Sequence, residues 1–331
     1  MKYVIGVDLG GTKILTILAA MSGNISAEIK LPTEAQDGPE KVIERILESI
    51  ATVQQQCGVE PANLVAVALG VPGPELDTKQ GVVHFSNNLN WHGVPLKEML
   101  QNRLQVPVYI ENDANAAALG EYAFGAANAS GDMVYITVST GVGGGIIING
   151  QIYHGISDGA GEIGHMTIMP GGPRCTCGNY GCLEALASGT AIGRAAVELI
   201  EEGNGSAILQ VAGGEKSAVS AQVVAESAKQ GDPEALQIIS DAARALGIGI
   251  ANVVNILNPP SVVLGGGVME SKDLIWPGME RELKDRCFDI PFKALQILPA
   301  ALGSKAGAMG AVALALNSVN KNEGELPCPT Y

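Results

Sequence analysis

The stretch Tyr3-Val-Ile-Gly-Val-Asp8-Leu-Gly10-Gly11-Thr12-Lys13-Ile-Leu-Thr-Ile-Leu-Ala-Ala20 decides how this chain is read. Residues 3–9 and 14–20 have the length and the Val/Ile/Leu content of buried strands, and the glycine turn between them folds one back on the other. A further apolar run, 23–31, extends the pair to a meander. The same order returns later, with a strand over 133–139, a glycine turn over 140–145, and strands over 145–149 and 151–155. The repeat reads as a duplicated lobe.

Between and after the meanders, helical and strand signals alternate. Residues 39–56 read as a helix with Val42, Ile46 and Ile50 at helical spacing, followed by a strand over 64–71, a helix over 96–104 and a strand over 106–110. Helices alternating with short, wholly apolar strands imply an α/β sheet covered on both faces. Later helices are expected over 184–202, 220–230 and 233–257, the last ended by Pro259-Pro260. A strand over 261–264 then runs into Gly265-Gly266-Gly267, and 306–316 reads as a small-residue helix. The expected division is a smaller N-terminal lobe of 1–112 with about 305–317, a larger lobe of 113–304 and a flexible tail of 318–331.

With 331 residues and 47% hydrophobic content, the chain can bury a large core and fill two domains. Its 20 basic and 34 acidic residues give a formal charge of −14, which repels polyphosphate backbones and excludes nucleic acid as the main partner. A small anion can still be held by local backbone dipoles. The first apolar stretch is cut at Asp8, too early for a signal-peptide core, and no run reaches 18 apolar residues, so neither secretion nor a membrane is expected. The expected compartment is the cytoplasm, where the six cysteines serve as thiols or metal ligands rather than disulfides.

The glycine turns carry the first chemical signal. At Asp8-Leu-Gly10-Gly11-Thr12-Lys13, glycine lets backbone N–H groups approach an anion that a side chain would push away. Alone, the turn reads equally as a plain hairpin or as a phosphate cradle. Ser139-Thr140-Gly141-Val142-Gly143-Gly144-Gly145 repeats the logic in the second lobe, and Gly265-Gly266-Gly267 ends a strand where open α/β sheets take ligands. Together they point to a nucleotide lying between the lobes. Neither a dinucleotide-binding Gly-x-Gly-x-x-Gly nor a Gly-x₄-Gly-Lys-Ser/Thr loop occurs at these turns, which disfavours Rossmann dehydrogenases and P-loop enzymes.

Two further constellations follow. Asn112-Asp113 stands where a strand ends and the alanine-rich run to Glu121 begins; Asp there is either a helix cap or a carboxylate placed to take a proton from a hydroxyl, as phosphoryl transfer to an alcohol requires. His165, Cys175, Cys177 and Cys182 fall within 18 positions, whereas Cys57, Cys287 and Cys328 are scattered singly. Three thiols and an imidazole suit a closed, structural tetrahedral Zn²⁺ site, with ordinary buried thiols as the alternative. Such a site would hold the loop carrying Glu162, His165 and Glu184.

Taken in order, Asp8 to Lys13, Asn112-Asp113, Ser139 to Gly145, Gly161-Glu162-Ile-Gly-His165 and the Cys-x-Cys-Gly-x-x-Gly-Cys-x-Glu block resemble the ROK family of sugar kinases and sugar-responsive repressors over about residues 3–316. The resemblance implies the actin-like, hexokinase-type ATPase fold, related to RNase H, with an interlobe cleft. It implies Asp113 as catalytic base, and Asn88, Asn112, Glu162, His165 and Glu184 as ligands of the sugar hydroxyls. His165 would hold zinc through one ring nitrogen and sugar through the other. Asp8 would position Mg²⁺, the turns at Gly10, Gly11, Thr12, Lys13, Thr140, Gly141 and Gly143 would hold the ATP phosphates, and Gly265, Gly266 and Gly267 would meet the adenosine.

Family repressors carry a DNA-binding helix-turn-helix before the first strand, which here starts at Tyr3. The implied activity is therefore an ATP-dependent glucokinase forming glucose 6-phosphate. N-acetylglucosamine, N-acetylmannosamine and fructose kinases are the alternatives within the family, and a non-catalytic sugar sensor is the alternative outside catalysis. Family habit implies a homodimer or a dimer of dimers.

Overall fold

The structure, a computed structural model, describes residues 1–323. The opening meander forms as β1 (Tyr3–Leu9), β2 (Lys13–Ala20) and β3 (Ile25–Pro32), each antiparallel to the next. Helix α1 (Pro39–Gln56) leads to β4 (Leu64–Val71), which lies parallel to β1 on its free side. A small antiparallel sheet of β5 (Glu75–Asp77), β6 (Val82–Ser86) and β7 (Trp91–Val94) follows, then α2 (Leu96–Leu104) and β8 (Val108–Asn112), parallel to β4. The first sheet thus has the order β3-β2-β1-β4-β8.

Helix α3 (Asp113–Phe124) begins where β8 ends. The second meander is β9 (Met133–Val138), β10 (Val142–Ile148) and β11 (Gln151–Ile152). After the cysteine loop come α4 (Leu183–Ala187), α5 (Gly189–Glu201), α6 (Ser206–Val211), α7 (Ala221–Lys229) and α8 (Pro233–Leu257). The chain continues as β12 (Ser261–Gly265), α9 (Lys272–Arg286), α10 (Asp289–Ala294), β13 (Gln296–Pro299) and α11 (Ala306–Glu323). The second sheet runs β11-β10-β9-β12-β13, the order of the first sheet repeated, so the duplication read from the meanders is present in the topology.

Strand alternation explains how the first sheet is covered on both faces. Ile5, Val7 and Leu9 of β1, with Val67 and Leu69 of β4, face a core completed by Val42, Ile46 and Ile50 of α1. Val4, Ala66 and Ala68 face the other side, against Ala308, Ala311, Val312 and Ala315 of α11. The second face is lined by small residues, so α11 comes close: a Cβ on Gly6 would lie 2.3 Å from the Ala308 carbonyl oxygen.

The described residues form two compact units, Met1–Tyr135 with Gly145–Gly161 and the described residues from Ala300 onward, and Ile136–Gly144 with Glu162–Pro299. The boundary read after residue 112 falls inside the first unit. There α3 lies on α11 at backbone distance, since a Cβ on Gly120 would stand 2.4 Å from the Ala306 carbonyl oxygen and one on Gly310 would stand 1.6 Å from that of Ala116.

Several elements differ from the sequence expectation. The helix expected over 184–202 is two, because Ser188 takes an extended conformation and caps α5 by accepting from the Ala191 N–H at 3.1 Å. Strand β10 begins at Val142, so Gly143 belongs to the strand rather than to the turn. Residues 318–323, expected in a flexible tail, continue α11; the rest of that expected tail, 324–331, lies outside the described residues. The small β5–β7 sheet, α6, α9, α10 and β13 were not read from the sequence.

Candidate functional site

In the first unit, the carboxyl ends of the parallel strands β1, β4 and β8 converge, the place where open α/β sheets bind ligands. Asp8 pairs in register with Gly70, and a Cβ on Gly70 would lie 3.6 Å from Asp113 Cα and 3.9 Å from the Gly307 carbonyl oxygen. Gly307 in turn leaves room for Asp8, whose carboxylate would stand 2.8 Å from a Cβ there. Burial raises the pKa of Asp8 above the usual carboxylate value, with Lys13 opposing.

The Gly10–Lys13 turn closes with the Gly10 N–H donating to the Lys13 carbonyl at 2.9 Å, and Thr33 Oγ1 donates to the Gly10 carbonyl at 2.6 Å. Gly11 lies against the turn between β6 and β7: a Cβ on it would be 2.9 Å from the Asn88 carbonyl oxygen. The missing side chain thus brings the exposed Asn88 beside the loop.

At the β8–α3 corner the cap is Asn112, not Asp113. Asn112 Oδ1 accepts from the N–H groups of Ala114 at 2.9 Å and Asn115 at 3.2 Å, while its Nδ2 reaches the Gly73 carbonyl at 3.4 Å. Asp113 is the first helical residue, with Oδ1 accepting from the Ala114 N–H at 2.9 Å.

The second unit gathers the remaining residues. The turn between β9 and β10 is short: the Ser139 N–H donates to the Gly141 carbonyl at 2.8 Å. It is held by the start of α5, where the Gly189 N–H donates to the Ser139 carbonyl at 2.7 Å and Thr190 Oγ1 donates to the Thr140 carbonyl at 2.8 Å. Gly141 is glycine because Glu184 occupies the space of its side chain; a Cβ would lie 2.5 Å from Glu184 Oε2. At the end of β12, Gly266 has φ +92°, and a Cβ there would meet the Val138 carbonyl oxygen at 2.3 Å, so only glycine fits.

The cysteine loop is a miniature hairpin. The Cys175 N–H donates to the Asn179 carbonyl at 2.8 Å and the Gly178 N–H to the Cys175 carbonyl at 3.0 Å, with Gly178 and Gly181 at positive φ. One donor atom from each of His165, Cys175, Cys177 and Cys182 lies within 4.8 Å of every other. Cys175 Sγ stands 3.6 Å from His165 Nδ1, and Cys177 Sγ stands 3.8 Å from Cys182 Sγ. Burial pushes the Cys175 thiol up and the Cys182 thiol to about 12, whereas the Asn179 N–H lowers Cys177. His165 Nε2, on the ring edge away from the thiols, lies 3.8 Å from Glu162 Oε2. Burial raises the Glu162 pKa, against the effect of His165. Glu184 Oε2 accepts from the Val142 N–H at 3.1 Å and Oε1 from Thr176 Oγ1 at 3.1 Å.

The sequence-derived site residues therefore form two sets. Asp8, Gly10, Gly11, Thr12, Lys13, Asn88, Asn112 and Asp113 belong to the first unit; Thr140, Gly141, Gly143, Glu162, His165, the three cysteines, Glu184 and Gly265 to Gly267 belong to the second. Sequence reasoning missed Glu111, His154 and Gly307. Only Glu111 carried a signal, as an acid inside an otherwise apolar strand.

A chain with this duplicated sheet order and these loops is of the actin-like ATPase class. Residues 4–318 match the ROK family, and the chain belongs to it. It is 36% identical to a glucokinase of Halalkalibacterium halodurans over 93% of both chains. It is 34% identical to the xylose repressor of Bacillus subtilis, covering 93% of this chain and 75% of the repressor. Among solved structures it is similar to a ROK family glucokinase from Streptomyces griseus in complex with glucose and AMPPNP, with a TM-score of 0.77, 35% identity, and coverage of 95% and 99% of the two chains.

Proposed function

We propose that this protein is an ATP-dependent glucokinase that transfers the γ-phosphoryl group of ATP to the 6-hydroxyl of glucose. The observation that carries the reading is Asp113, a carboxylate at the first turn of α3 beside the converging strand ends, in a ROK chain over one-third identical to glucokinases along nearly its whole length. In the reaction Asp113 takes the proton of the 6-hydroxyl as its oxygen bonds to the γ-phosphorus and ADP departs. Asn88, Asn112, Glu162, His165 and Glu184 hold the other sugar hydroxyls, and the glycine turns hold the nucleotide.

The thiol and imidazole donors fit zinc. A tetrahedron with Zn–S bonds of about 2.3 Å has edges of about 3.8 Å, and the Cys177–Cys182 and Cys175–His165 separations are 3.8 and 3.6 Å. His165 through Nδ1, Cys175, Cys177 and Cys182 would hold the ion, four protein ligands would make its role structural, and His165 Nε2 would remain for the sugar and Glu162. Asp8 fits Mg²⁺ arriving with ATP, because a buried carboxylate with a raised pKa gains most from a nearby cation. When bound, that ion neutralises charge on the phosphates.

Among the described residues no helix is long and apolar enough to cross a membrane. The reduced thiol cluster and the need for ATP favour the cytoplasm, and a homodimer or dimer of dimers is the assembly proposed.

A coupled ADP-release assay over glucose, N-acetylglucosamine, N-acetylmannosamine and fructose tests the reading, with Asp113→Asn expected to lower turnover by roughly 10² to 10⁴-fold. Glucose should give the highest kcat/KM, since Glu162 and Glu184 accept from hydroxyls and sites built to bond a hydroxyl discriminate by up to ~10⁴. A higher value for N-acetylglucosamine would move the protein to the amino-sugar kinases. No turnover with any sugar, together with tight xylose binding, would support a regulator like the xylose repressor.

A further inference from the structure

Glu111 is the penultimate residue of β8 and only 2% exposed, so its carboxylate must find compensation inside the protein. Oε1 accepts from the Asn112 N–H at 2.9 Å and from Asn115 Nδ2 at 3.1 Å, and Oε2 faces His154 Nε2 at 2.7 Å. His154 lies in the loop after β11, which is fastened again at Asp158, whose Oδ2 accepts from both the N–H and the hydroxyl of Thr78 at 3.0 Å. All these groups belong to the first unit. Asn112, whose N–H Glu111 holds, is the cap of α3, and Asp113 is the next residue.

We propose that His154 is a positioning residue for Asp113: its imidazolium, paired with the buried Glu111 carboxylate, fixes the Asn112–Asp113 corner, making turnover depend on the protonation state of His154. The proposal rests on Asp113 being the base.

Three charged groups face His154. Glu111 favours the imidazolium most, through the hydrogen bond and its charge, and Asp158 adds to it; burial and Lys79 oppose. The balance holds the His154 pKa above its ordinary value. Because the folded value is raised, the charged pair is complete at lower pH and is lost as pH rises through that value. A neutral imidazole can still donate from Nε2, so turnover should step down on the alkaline side rather than vanish.

The test is the pH profile of kcat and KM from about pH 5.5 to 9.5, a span bracketing histidine titration. His154→Ala should lower kcat roughly ten-fold, the scale of one charge-assisted hydrogen bond. KM for glucose and ATP should stay within about two-fold, and the alkaline step should disappear. His154→Lys supplies a cation that does not titrate in this range; it should keep most of kcat and also lose the step, and it remains informative if His154→Ala does not fold. Adding Glu111→Gln to His154→Ala removes the uncompensated charge and should restore part of kcat.

A His154→Ala enzyme with a lower Tm but unchanged kcat and pH profile would make the pair merely structural and overturn the proposal. Asp113→Asn in the same assay separates the two readings. Retained turnover there removes the base assignment and this proposal with it, whereas an inactive Asp113→Asn beside an unaltered His154→Ala overturns this proposal alone.

Discussion

Glu121, at the end of α3, is fully buried and accepts three backbone N–H groups: Oε2 from Ala126 at 2.9 Å and Ala301 at 3.0 Å, and Oε1 from Leu302 at 2.7 Å. Ala301 and Leu302 lead into α11, so this carboxylate ties the end of one helix to the approach of the other. Replacing it with Gln keeps the shape and removes one acceptor. The amide oxygen can take the side with two donors, which turns the NH₂ group toward the Leu302 N–H and leaves that donor buried without a partner, at a cost of about 1–3 kcal/mol. The other two bonds lose their charge assistance, about 1 kcal/mol each, for a total of roughly 3–5 kcal/mol. Urea unfolding should show the midpoint of the first unit's transition falling by about 1–2 M at unchanged slope. Gly125→Ala reaches the same bonds independently, since its Cβ would stand 2.2 Å from Glu121 Oε2. If Glu121→Gln changed stability by less than ~1 kcal/mol, the carboxylate would not be what joins these segments.

Cys177→Ser should release one equivalent of zinc and weaken glucose binding far more than ATP binding, read by metal analysis and titration calorimetry; zinc-free yet fully active wild-type protein would sink the metal assignment. Asp8→Asn should raise Tm at neutral pH while lowering turnover. Because the folded pKa of Asp8 is raised, ionisation destabilises the fold above the unfolded value, and the advantage of Asn should fade as pH falls below it.

The opening meander, α1 and β4 were legible because their signals are local, whereas the short strands β5–β7 and β13 carry too few residues to show a pattern. Tyr3–Leu9, Leu64–Val71 and Pro39–Gln56 match the sequence reading residue for residue, each bounded by glycine, proline or polar residues. The break at Ser188 was not legible, since Glu184 to Glu202 is good helical sequence and the interruption serves the Ser139–Gly141 turn, which docks at Gly189. Helix α9 hid behind Pro277, although Ile275, Met279 and Leu283 are buried at helical spacing. The lobe boundary placed after residue 112 differs from the division into compact units for a tertiary reason: α3 carries no long apolar stripe to reveal its partner and reaches α11 through glycine and alanine. At the site, motif residues could be named from sequence, but the division of labour between Asn112 as cap and Asp113 as first helical residue needed the corner's hydrogen bonds.

The pairing of Glu184 with Gly141 shows why the thiol cluster and a glycine turn occur in one chain. Glu184 follows Cys182 by two residues and stands in the first turn of α4, so the cysteine hairpin fixes where its carboxylate points. One oxygen accepts from Thr176, the neighbour of Cys175, and the other from the Val142 N–H at the start of β10. The cysteine loop, Glu184 and the Ser139–Val142 turn are thereby one hydrogen-bonded body rather than three independent pieces. A side chain at position 141 would push the acid away, and an Asp at 184, shorter by about 1.5 Å, would fall short of at least one of the two donors. On the proposed function, an ion held by His165 and the three cysteines, with no open coordination position, would govern substrate binding through the placement of Glu184 and His165.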